Sequence, residues 1–105
     1  MEMVLKNESI VEPLAAEAIR LGADLLEVEY KDGYEQVFAT SAGVGFGIAR
    51  LPSSSPEAAT LREELHRLAK RKRRRIVVNG CAYELRCGTY DSFGEEAFCV
   101  ELWRG

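Results

Sequence analysis

The chain is poor in the residues from which metal and nucleophilic centres are built. Its 105 residues include one histidine, one tryptophan, three prolines and three cysteines. His66 has no second imidazole with which to share a metal, and Cys81, Cys87 and Cys99 lack the close paired spacing of a zinc knuckle. No metal site and no cofactor are expected. An odd number of thiols scattered over strand-like segments reads as reduced cysteines of a cytoplasmic protein. No apolar run approaches the ~20 residues of a membrane span, and the opening Met-Glu-Met-Val-Leu-Lys-Asn-Glu lacks the basic-then-apolar order of a secretory signal. Gly-Lys-Ser and Gly-Lys-Thr are absent, which excludes a Walker A loop and the ATP hydrolysis that depends on one. The small charge excess, −3, argues against a dedicated nucleic-acid binder. There is no repeat, low-complexity tract or interdomain linker.

What is present reads as one globular domain over residues 1–105, with 47% hydrophobic and 30% charged residues. A domain of this size buries roughly two-thirds of its unfolded surface, enough for a core without staples. The strongest local signal is Asn79-Gly80 between Ile76-Val77-Val78 and Cys81-Ala82-Tyr83. Both central residues of a type I′ turn need positive φ, which this dipeptide tolerates. Counting outward pairs Val78 with Cys81, Ile76 with Tyr83 and Arg75 with Glu84. Side chains alternate across a strand, so Ile76, Val78, Cys81, Tyr83 and Leu85 share a core face. Val77, Arg73, Arg75, Glu84 and Arg86 share the other.

Asp32-Gly33 is a second two-residue turn, whose register pairs Val28 with Val37 and Leu26 with Ala39. Ser41-Ala42-Gly43 leads into a strand from Val44 to Leu51, so Gly43-Val-Gly-Phe-Gly47 reads as hairpin rather than phosphate loop. A first helix is expected from near Ser9, with a Ser9/Glu12 capping box, to Gly22, burying Ile10, Leu14, Ala18 and Leu21, widened by Val11 and Ala15. Ser55-Pro56-Glu57 opens a second, with Ala58, Leu61, Leu65 and Leu68 inward and Lys70-Arg71-Lys72 at its end. Tyr90 to Gly94 is read as a turn and Ala97 to Trp103 as a last strand. The order α-β-β-β-α-β-β-β implies an α+β fold: two helices on one face of a roughly six-stranded, mostly antiparallel sheet.

Arg73, Arg75 and Arg86 are the candidate ligand or phosphate residues, since clustered guanidiniums suit bidentate contacts to phosphate. The basic run 70–75 reads equally as a helix end and a charged edge strand. Tyr90, Phe93 and Trp103 can stack on a base, although such aromatics more often serve a core or an interface. Serines 53–55 have no partner base, and no catalytic set is visible.

The phrase Ile10-Val-Glu-Pro-Leu-Ala-Ala-Glu-Ala-Ile-Arg-Leu-Gly22-Ala-Asp-Leu-Leu-Glu-Val-Glu29, followed by Ala82-Tyr-Glu-Leu-Arg86-Cys-Gly-Thr89 and Gly94-Glu95, resembles the N-terminal domain of type II secretion and type IV pilus-assembly ATPases. The likeness covers residues 10–103. It implies a PAS-like α+β domain, which in that family precedes a RecA-like motor, packs on neighbouring subunits and helps enclose the nucleotide. The chain departs from the family where its Ser-Asp-Ile-His phrase would fall, with Leu25 and Glu27 in place of the Asp and His. Phe38-Ala-Thr-Ser-Ala-Gly43 keeps only the glycine of an arginine-rich phrase. No RecA-like domain is present, and of the family's basic contacts only Arg86 carries over. The resemblance implies a stand-alone, diverged relative: a non-enzymatic protein-interaction or scaffold domain whose partner is its own copies or a secretion or pilus ATPase. The alternative is a module binding a nucleotide or cyclic dinucleotide through Arg73, Arg75 and Arg86.

Overall fold

The computed structural model describes residues 9–71 and 73–105. The elements are α1 (Val11–Arg20), β1 (Leu25–Lys31), β2 (Tyr34–Ser41), β3 (Val44–Pro52), α2 (Pro56–Arg71), β4 (Arg74–Val78), β5 (Cys81–Ser92) and β6 (Glu95–Arg104). The strands form one antiparallel six-stranded sheet in the order β3-β2-β1-β6-β5-β4. It is two three-stranded meanders joined edge to edge where β1 pairs with β6, from Leu25↔Glu101 to Val28↔Phe98. The α+β order read from the sequence is the order of the fold.

Four two-residue turns set the registers. Asp32-Gly33, Ala42-Gly43, Asn79-Gly80 and Phe93-Gly94 each have positive φ at both positions, as a type I′ turn requires. Val28↔Val37, Leu26↔Ala39, Val78↔Cys81 and Arg75↔Glu84 pair as the turns dictate. Two boundaries differ from expectation. β5 runs on to Ser92, so the turn is Phe93-Gly94 alone, and β6 starts at Glu95 and ends at Arg104. A phenylalanine at positive φ is a poor turn residue, and the sequence therefore hides this turn inside a longer loop.

Both helices pack on one face. Val11, Ala15 and Ala18 of α1 and Leu61, Leu65 and Leu68 of α2 enclose Leu26, Val28, Val37, Leu85, Phe98 and Val100. The stripe on α1 is rotated from the expected one: Ile10 and Leu14 are half-buried and Leu21 is 47% exposed. Leu21 lies past the helix, where Gly22 at φ +82° closes a Schellman turn through Ala23 N to Ala18 O (2.9 Å) and Gly22 N to Ile19 O (2.9 Å). At α2, the Ser55 hydroxyl accepts from Ala58 N at 3.1 Å, with Pro56 at the first helical position. Among the described residues, the opposite face of the sheet carries no helix. Among the described residues, no helix is long and apolar enough to cross a membrane.

Candidate functional site

The bare face carries the arginines singled out in the sequence. Arg75 and Glu84 are cross-strand partners, as are Arg86 and Glu101. Arg86 Nε donates to Glu84 Oε2 at 2.7 Å, and its guanidinium carbon lies 4.9 Å from the Trp103 ring centroid. Arg73 Nη1 stands 3.8 Å from the same Glu84 oxygen, and Trp103 Nε1 donates to Glu101 at 2.9 Å. The hydrogen bond from Arg86, then the charges of Arg86, Arg73 and Arg75, hold the Glu84 carboxyl below its ordinary range against an opposing effect of desolvation. The three arginines therefore do gather on one surface, but around a carboxylate. A shallow depression beside them is lined by Arg86, Cys87, Gly88, Cys99 and Glu101, so a second carboxylate faces any anion placed there.

Arg74 has the opposite parity and turns toward the helices. It pairs with Glu12 and lies 3.6 Å from Glu64 Oε2. Glu64, 8% exposed, accepts from Ile10 N at 2.6 Å, Val11 N at 3.0 Å and the Ser9 hydroxyl at 2.5 Å. One carboxylate of α2 thus caps the start of α1. Ser9 supplies only part of the expected capping box, accepting from Glu12 N at 3.0 Å, while Glu12 itself goes to Arg74. The signal for Glu64 was its position among Leu61, Leu65 and Leu68: an acid on a buried stripe needs a partner. The signal for Arg74 was its alternation with Ile76 and Val78.

A concave arginine site also exists, on the helix side. Arg67 and Arg71 from the end of α2, with Arg73 and Arg74, surround a cavity of about 300 Å³ that also touches Leu68 and Glu64. Of the candidate ligand residues Arg73, Arg75 and Arg86, only Arg73 reaches it.

The two sheet edges contrast. β4 is charged, with Arg74 and Arg75. β3 reads Val44-Gly-Phe-Gly-Ile-Ala49 before its first charge at Arg50, with Val44 68% and Phe46 39% exposed. The pair closing a two-residue hairpin, Ser41↔Val44, is hydrogen-bonded, and alternation then turns the N–H and C=O of Gly45 away from β2. A Cβ at Gly45 would lie 3.1 Å from Thr40 Oγ1, a tight contact that the hydroxyl would have to yield to.

His66 sits on an exposed flank, 2.9 Å from Glu96 Oε1 and edge-on to Phe98. Glu35 is buried and accepts from Arg62 and Ser53. Burial, then the neighbouring Cys99, pushes the Cys87 thiol up to about 11, and its Sγ lies 3.7 Å from Leu65 O. Cys99 is raised too, by burial, then by Glu27 and Glu101. Tyr90 donates to Glu29 at 3.0 Å and is raised by desolvation, then by that bond. No group of His, Cys, Asp and Glu among the described residues is arranged to hold a metal ion.

No family model matches the chain, and no curated protein matches it.

Proposed function

We propose that the chain is a non-enzymatic docking domain that binds a protein partner by adding an extended segment of that partner to the β3 edge. The observation carrying this reading is the contrast between the edges. Unguarded edge strands are rare because they template pairing with other chains. Here one edge is armoured with arginine, whereas the other is apolar and uncharged from Val44 to Ala49, with one bulge at Ile48 and its first charge at Arg50. Main-chain hydrogen bonds at such an edge give affinity, and the exposed side chains beside it give specificity.

The resemblance to the N-terminal domain of secretion and pilus-assembly ATPases supplies the class of partner: an ATPase of that kind, or a further copy of this chain. A PAS-like scaffold working in the cytoplasm belongs to the same reading. The alternative, a nucleotide or cyclic dinucleotide on Arg73, Arg75 and Arg86, is weakened by Glu84 and Glu101, which already occupy those guanidiniums or stand among them.

The test is binding of the purified chain to a purified secretion or pilus ATPase from the same cell, by calorimetry, with wild type and the Val44→Lys/Phe46→Lys pair. Wild type should bind with little salt dependence, and the lysine pair should lose binding while keeping its melting temperature. Equal binding by both proteins rules out the β3 edge. Stabilisation of the wild type by a nucleotide, steep in salt and abolished by Arg86→Ala, would favour the alternative instead.

A further inference from the structure

The tip of the β5–β6 hairpin breaks two rules at once. Phe93 has φ +53° and is 102% exposed, whereas asparagine, aspartate or glycine is the ordinary occupant of that turn position. A bulky aromatic held at positive φ costs free energy. A fully exposed one gains nothing from the core of its own chain. Three acids flank it: Asp91, whose Oδ2 accepts from Gly94 N at 3.3 Å, Glu95, and Glu96, which stands 2.9 Å from His66. The tip is an apolar knob in an acidic collar.

The arginine cavity has the matching features. Its volume of about 300 Å³ is ample for a phenyl ring, since a cavity of roughly 150 Å³ admits benzene. Leu68 lines it, and Arg67, Arg71, Arg73 and Arg74 rim it. Arg74 is engaged by Glu12 and Glu64, and Arg73 by Glu84. Arg67 and Arg71 have no carboxylate at ion-pair distance among the described residues. The tip does not reach this cavity in its own chain. Leu85, opposite Arg74, and Ser92, beside the tip, are seven positions apart on one strand, about 23 Å along it, and the hairpin is paired to its end.

We infer that the chain associates head to tail with itself, Phe93 of one copy seated in the arginine cavity of the next. Collar and rim carry opposite charge, and the ring lies against guanidinium faces, Leu68 being only 4% exposed. The two surfaces differ, so each added copy leaves a free tip at one end and a free cavity at the other, and the contact propagates. A single-knob contact is small and weak, and much of its attraction is electrostatic. It does not involve the β3 edge, so it stands or falls separately from the reading above.

Sedimentation of the full chain over rising concentration, at low and high salt, tests this. Wild type should pass beyond the dimer at low salt and dissociate at high salt. Phe93→Asn should remain monomeric yet melt at a higher temperature, because asparagine relieves the turn. Arg71→Glu should also remain monomeric, with Arg67→Glu as its duplicate if the first variant fails to fold. A mixture of Phe93→Asn and Arg71→Glu retains one intact tip and one intact cavity, and should stop at a mixed dimer. A wild type that stays monomeric throughout, Phe93→Asn that still assembles when the β3 edge also carries Val44→Lys/Phe46→Lys, or a mixture that forms no dimer would each overturn the inference.

Discussion

Removal of the Glu64 carboxylate tests the contact between the helices most directly. Glu64 receives two backbone N–H groups and a hydroxyl from the start of α1. Hydrogen bonds to a charged acceptor contribute ~1.5–3 kcal/mol each, and a buried donor left without a partner costs ~1–3 kcal/mol. In Glu64→Ala, water can reach Ser9 and Ile10, which are half-buried, but not Val11, which is 0% exposed. One orphaned donor, two weakened bonds and a lost anion at a helix N-terminus together come to ~3–5 kcal/mol. That is a large share of the ~5–15 kcal/mol of a typical domain. With a urea slope of ~1–1.5 kcal/mol/M, the unfolding midpoint should fall by ~2–5 M at unchanged slope. Glu64→Gln keeps an acceptor oxygen and should lose only ~1–2 kcal/mol. Arg74→Ala removes a partly exposed partner and leaves the backbone bonds, so it should fall below Glu64→Ala. A midpoint for Glu64→Ala near that of wild type, or glutamine as damaging as alanine, would refute the assignment of this carboxylate as the cap of α1.

Thr40 Oγ1 is buried without a hydrogen-bond partner, so Thr40→Val should raise stability by ~1 kcal/mol in the same urea experiment; a loss would mean the hydroxyl is bonded. Arg86→Ala removes a surface ion pair and should lower stability by less than ~1 kcal/mol with unfolding still cooperative. In that variant the Glu84 carboxyl should titrate nearer its ordinary 4.5, as read by NMR; an unchanged titration would mean that Arg86 is not its main partner. Cys87, with its thiol raised from 9.0 to about 11, should react with iodoacetamide at pH 8 ~100-fold more slowly than an unburied thiol. Its folded value is the higher one. Its stabilising contribution is therefore present below pH 9 and disappears as the pH rises through about 11, and the urea midpoint of Cys87→Ala should not show that decline.

The registers around Asn79-Gly80 and Asp32-Gly33 were legible because a two-residue turn leaves no freedom once its position is known. The buried stripe of α2 was legible from helical spacing, and the gathering of Arg73, Arg75 and Arg86 from alternation. Four features were not. The Phe93-Gly94 turn defies the chemistry by which such turns are recognised. The Glu64 cap joins residues 53 and 54 positions apart, beyond the range of any local pattern. The arginine cavity needs the end of α2 laid beside β4, an arrangement set by packing. The β1–β6 pairing also lies outside local periodicity, since neither strand carries a mark naming the other.

That pairing has a consequence for how the molecule comes into being. The sheet is continuous only through Leu25–Val28 against Phe98–Glu101, segments at opposite ends of the sequence. During synthesis β1 has its hairpin partner early but lacks its other neighbour until β6 emerges from the ribosome. The first meander must wait, one flank bare, for nearly the whole domain to be made. Assembly is therefore a late, single event governed by one long-range closure, and a chain interrupted before β6 leaves β1 open to pairing with a stranger.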